Sequence, residues 1–161
     1  MRDAPLHYAG FWRRLGAFAL DALLFTALTA PIRVALFGRE AFTGPAETDP
    51  AFLAMDLLLD WLLPSFAILW CWQRWGATPG KWLMEIQVLD ARTLQPPSWR
   101  QGALRLLGYL VSAALLYLGF LWIAFDRRKQ GLHDKLAGTV VVRRAPDLSQ
   151  QPLARLMEGW P

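Results

Sequence analysis

Arg14 and Asp21 are the residues of this chain whose types and spacing could do chemistry. From Leu15 to Ile32 the sequence reads LGAFALDALLFTALTAPI, with Asp21 its only ionisable residue. A stretch so long and apolar is a membrane-helix candidate. A carboxylate inside it costs about 2.5–3.5 kcal/mol on insertion scales, so it is expected to be paired or working. The separation of the two is close to two helical turns. That puts both side chains on nearly one face, roughly 10 Å apart along the axis, able to point at a common partner without touching. Such a pair would support proton or cation exchange at Asp21, with Arg14 biasing its charge. The structural alternative is a buried ion-pair network in which Asp21 meets a basic residue from another segment and fixes helix packing.

His133 and Asp134, beside Lys135, form a second candidate, because histidine changes charge near neutral pH. One His–Asp pair falls short of the three or four ligands of a metal site. Asp134 is therefore read as a brace that pairs with Arg14 or Lys81, and Arg14, Asp21 and Asp134 are expected to form one polar cluster. Asp56 and Asp60 stand four apart on one helical face. They could hold a cation together, or simply be acids suited to the first turns of a helix. The stretch GATPGK, Gly76 to Lys81, lacks the full phosphate-loop pattern because Trp82 follows the lysine, and reads as a helix stop and turn. No Ser-His-Asp set, metal-ligand cluster or Gly-rich cofactor loop is present, so no catalytic residue, metal or cofactor is expected and an enzyme is the least favoured class.

The elements that must position these residues are apolar. Hydrophobic residues make up 55% of the 161, with nine Trp, and charged residues 19%, below the roughly 25% of soluble domains. The net charge of +4 does not point to nucleic acid, because the basic residues flank apolar segments and form no block of their own. The single cysteine, Cys71, cannot form an internal disulfide. A signal peptide is rejected for the first segment, which contains Asp21 and lacks a small-residue cleavage site, so it is read as a retained anchor. A second segment runs from about Ala51 to Trp72 with Pro64 in its middle, where it would kink the helix or set its packing angle. A third, Leu106 to Phe125, carries no charge.

Lys and Arg counts give the orientation. Arg2, Arg13 and Arg14 precede the first helix; the loop after it holds Arg33 and Arg39 against three acids; the next holds Arg74, Lys81, Arg92, Arg100 and Arg105. The N-terminus and second loop are then cytoplasmic. Arg127, Arg128, Lys129, Lys135, Arg143 and Arg144 follow the third segment, and a single crossing would put them outside. Two readings stand: a third span, or a segment that enters and returns, with Gly108, Ser112 and Gly119 as weak points. The strand patterns favour return. Leu83 to Asp90 alternates, Thr139 to Arg143 is β-branched, and two short strands in a helical chain are expected to pair on one side of the membrane. A turn at Asp90-Ala91-Arg92-Thr93 would follow the first.

Three motifs then fall in order: AGFWRRLGAFALDALL near the start, ATPGKWLMEIQVLDA after the second segment, and GLHDKLAGTVVV near the end. With these the chain resembles the RDD family of small bacterial membrane proteins from about Tyr8 to Arg143, departing at Arg92-Thr93, where relatives often have Gly. The resemblance places the family arginine on Arg14 and the two aspartates on Asp21 and Asp134. It implies transport, with cation/proton exchange for some members. The resulting expectation is an α-helical integral membrane protein of the bacterial inner membrane, with two transmembrane helices, a third apolar segment that spans or re-enters, and a small cytoplasmic β element. Residues 8–145 would form the membrane domain and 146–161 a polar tail. Lys81, His133, Asp56 and Asp60 support the Arg14–Asp21–Asp134 cluster. The bilayer is the expected partner, with room for a homo-oligomer or another membrane protein. The rival class is a non-transporting scaffold or assembly subunit in which the same residues only hold the fold.

Overall fold

The structure, a computed structural model, describes residues 6–44, 49–116 and 118–144; the expected tail at 146–161 lies outside them. Helix α1 (Phe11–Phe37) absorbs the first apolar segment and continues through Pro31 to stop at Gly38. A one-turn helix α2 (Glu40–Thr43) follows. The second segment begins where Asp49 accepts the Ala51 N–H at 2.8 Å and Pro50 opens α3 (Pro50–Asp56). A π-helical turn, Leu57–Leu62, joins α3 to α4 (Leu63–Trp75). Pro64 has no N–H to donate to the carbonyl four residues back, and the wider turn directly before it accommodates that missing bond. Gly76 ends the helix in the left-handed region, its N–H on the Trp72 carbonyl at 2.8 Å. Phe11–Phe37 and Pro50–Trp75 are each long and apolar enough to cross a membrane.

Helix α5 (Pro79–Leu83) occupies the GK turn, so strand β1 (Ile86–Asp90) starts three residues later than its alternation suggests. Glu85, at φ +54, makes the corner between them. The Asp90 carboxylate then accepts the N–H groups of Arg92 and Thr93 at 2.7 and 2.9 Å, closing the expected turn. Helix α6 (Trp99–Ala114) opens with a reciprocal Ser98–Gln101 capping box, seven residues before the expected third segment. The chain next breaks at Leu115 and Leu116, the latter at φ +51, and re-forms as α7 (Leu118–Leu121) with a 3₁₀ turn, Trp122–Ala124. The two halves are bent by 113°. The break therefore falls on none of Gly108, Ser112 or Gly119. Gly108 stays helical because His133 needs its bare face: a Cβ there would lie 2.6 Å from the His133 Cα.

Helix α8 (Leu132–Ala137) leads into strand β2 (Thr139–Arg143), which pairs antiparallel with β1 from Ile86↔Arg143 to Asp90↔Thr139. The start of the chain joins the same sheet: Tyr8 bridges Val142, and the Ala9 N–H meets the Val141 carbonyl at 2.9 Å. Ala9, Ala17, Trp72, Ile86, Val88 and Val141 form one core. The start of α1, the end of α4 and both strands thus share a single cap. Elsewhere most of the apolar surface is bare, apart from Phe52 and Leu59; only 17% and 11% of the two spanning stretches are buried by protein. Lipid supplies the missing contacts, since hydrocarbon solvates such side chains as well as a core does.

Candidate functional site

Two carboxylates are buried where the helices enter the cap, and each has its own partners. Asp134 sits on α8 with no exposed side-chain surface. Its Oδ2 accepts from Arg14 at 2.5 Å and from the Gly131 N–H at 2.9 Å, and its Oδ1 accepts from Arg105. Arg14 also donates to the carbonyls of Ala9 at 3.1 Å and Lys129 at 2.5 Å. Arg105 donates to the Thr139 hydroxyl at 2.5 Å and reaches the Tyr109 hydroxyl at 3.4 Å. One guanidinium therefore ties α1 to the segment before α8, and the other ties α6 to β2. Both are held by a single aspartate.

Electrostatics follow from that geometry. Burial alone would raise the Asp134 carboxyl, but Arg105 and Arg14 outweigh it and hold the group well below the usual carboxylate range. His133, packed edge-on to Tyr109 at 4.5 Å, is kept neutral: burial brings it down to about 3 against the opposing pull of Asp134, and Arg105, Arg14 and Lys81 push the same way. Its Nε2 lies 3.6 Å from Asp134, beyond hydrogen-bond reach. The His133–Asp134 pair is thus not poised to change charge near neutral pH.

Asp21, two turns further along α1, has its own partners. Its Oδ2 accepts from the Thr78 hydroxyl at 2.5 Å and its Oδ1 from the Gly80 N–H at 2.7 Å. Gly80 is packed so closely on α1 that a Cβ would lie 2.9 Å from the Asp21 carboxyl carbon and backbone nitrogen. The GK turn thus directs its backbone amide at a carboxylate of the chain itself. Lys81 Nζ stands 3.9 Å from Asp21 Oδ2 and 3.4 Å from the Thr78 hydroxyl, a loose pairing. Burial pulls the Lys81 ammonium below its ordinary range, with Tyr109 and Asp21 opposing.

The expected single cluster is therefore two centres. Arg14 and Asp134 meet, Asp21 and Lys81 meet, and among the described residues Arg14 shares no partner with Asp21. Trp72 stands between the centres, with Lys81 Nζ 5.4 Å and the Arg105 guanidinium 4.8 Å from its ring centroid. Asp56 and Asp60 lie apart from both. Each is 2.6 Å from a different Arg33 nitrogen, so the two clamp a guanidinium of α1 and neither lies free at a helix start. Among the described residues no three His, Cys, Asp or Glu side chains gather as metal ligands.

Arg105, Thr78, Trp72 and Thr139 were not singled out from sequence. For Arg105 a signal existed. Ser98-x-x-Gln101 marks a helix start, and Gly102, Arg105, Gly108 and Ser112 then fall on one buried face.

A family model described as the RDD family matches residues 8–138. Among curated proteins, the chain is 36% identical over 72 residues to an uncharacterized protein of Rickettsia prowazekii, a match that covers 45% of this chain and 39% of that protein. It is 28% identical over 150 residues to the uncharacterized protein YxaI of Bacillus subtilis, covering 83% and 96%. The uncharacterized membrane protein YteJ of the same species is 28% identical over 148 residues, covering 84% and 80%.

Proposed function

The chain belongs to the RDD family of membrane proteins, and from that premise we propose that its Arg and Asp residues fasten apolar spans to a rigid polar cap, making it a membrane scaffold or assembly subunit. One observation carries this reading: both oxygens of Asp134 and both of Asp21 already accept hydrogen bonds from the protein. Asp134, with no exposed side-chain surface, and Asp21, with 8%, are thus each held by donors of the fold itself. The 113° bend in the third segment and the return of β2 to β1 favour a re-entrant α6–α7 over a third crossing. The Lys/Arg distribution then favours a cap, with both chain ends, on the cytoplasmic side of a bacterial plasma membrane.

Cation/proton exchange is the second reading, and the Asp21–Lys81 pair favours it. The two are 3.9 Å apart, and the ammonium is one that burial helps to deprotonate. Exchange would run at this pair, with Arg14 and Asp134 as its fixed electrostatic setting. Vesicles containing the protein and a pH dye separate the readings. Scaffold predicts no cation-dependent proton flux from folded protein, whereas exchange predicts flux abolished by Asp21→Asn.

A further inference from the structure

A cleft of about 500 Å³ opens where the second span ends. Cys71 and Trp75 line it from the last turns of α4, Thr78, Trp82 and Leu83 from the GK turn and α5, and Arg144 from just beyond β2. Trp82 and Leu83 are 61% and 63% exposed, and Trp75 and Trp70 continue their apolar surface up the span. Arg144 is anchored by its backbone N–H, which donates to the Glu85 carbonyl at 2.7 Å. Among the described residues its side chain has no carboxylate within 4.0 Å.

A guanidinium with no acid among the described residues, set among indoles at the end of a spanning helix, matches an amphiphile with a phosphate head. The planar fork suits phosphate oxygens, indoles sit at headgroup depth, and the apolar wall runs on into the hydrocarbon zone. A small free anion would leave the Trp and Leu walls unused. We propose that this cleft binds one anionic phospholipid, its phosphate on Arg144 and its acyl chains along the exposed face of α4.

The full chain, purified with phosphatidylglycerol and examined by non-denaturing mass spectrometry, should retain one such lipid. In vesicles, phosphatidylglycerol mixed into phosphatidylcholine should slow maleimide labelling of Cys71, the only cysteine of the chain. Arg144→Gln should lose retention and protection by more than the about fivefold that one diffuse surface charge would give. Arg144→Lys should keep part of both, and Arg128→Gln, an exposed charge away from the cleft, should keep nearly all. Trp82→Ala should also lose protection, which supplies the test if Arg144→Gln does not fold. Retention unchanged in Arg144→Gln and Trp82→Ala would overturn the site. So would an equal loss in Arg128→Gln, or protection of Cys71 by inorganic phosphate alone.

Discussion

Asp134 takes hydrogen bonds from two guanidinium groups and one backbone amide, which makes it the point where α1, α6 and α8 are tied together. Removing one donor leaves a buried charge short of a partner, at a cost of about 3–5 kcal/mol. Arg105→Met should therefore lower thermal stability in detergent by that order, seen as an early melt by circular dichroism. Exchanging Arg14 and Asp134 should not restore stability, because the guanidinium brought onto α8 would face Arg105. A pH effect follows from His133. The folded state holds it neutral, with its pKa brought down from 6.5 to about 3. Between those values the unfolded chain binds the extra proton and the folded one does not. Stability is then fully present above about 6.5 and falls as pH drops toward 3. Asp134 adds to the loss below its ordinary carboxylate range. Melting temperatures followed from pH 7 to 4 should decline, and His133→Gln should flatten that limb. Arg14, Asp21 and Asp134 stood out in the sequence because a charge within an apolar run needs an explanation. Arg105 did not, because it sat at the edge of such a run and passed for a topology signal.

Helix boundaries were legible where a local device sets them. Asp49-Pro50, Ser98-x-x-Gln101 and the Asp90 turn are short-range chemistry, although only the turn was read as such: the second segment was begun at about Ala51 on hydropathy, and the Ser98 cap was passed over in favour of the charge-free stretch that follows it. Strand β2 matched its β-branched run because valines pack well on a pleated surface, here covered on both faces from Thr139 to Val142. β1 came out shorter than its pattern because Gly80 must lie flat on α1, which keeps residues 79–83 helical. Gly80→Ala should cost about 1–3 kcal/mol through overpacking against α1, where the added Cβ would meet the Ala17 carbonyl oxygen first and Asp21 next. The same variant should weaken the Asp21–Gly80 hydrogen bond, so hydrogen exchange at Thr78–Lys81 should rise before the sheet opens. The position of the break in the third segment was not readable at this scale. Leu116 takes a left-handed conformation with no glycine to announce it, and only the packing of α7 and α8 against α6 imposes it.

For the whole molecule, three distant pieces of chain meet in one sheet: the residues before α1, the segment after α5 and the last strand. That meeting constrains the membrane path more strongly than the length of any apolar run. In a Cys71→Ser background, cysteines at Arg92 and Arg127 should label from the same face of the membrane, and one at Thr43 from the opposite face. Labelling of position 127 with position 43 would make the third segment a crossing. By itself the sequence determined the membrane class, two helices long and apolar enough to span, the family motifs and the presence of two pairing strands, because hydropathy and β-branching act over neighbouring residues. Only the tertiary structure decided which charges meet, placing Arg14 and Arg105 on Asp134 and giving Asp21 to Thr78 and Gly80. Partner choice among buried charges depends on how four helices and a sheet converge, and no local spacing encodes that convergence.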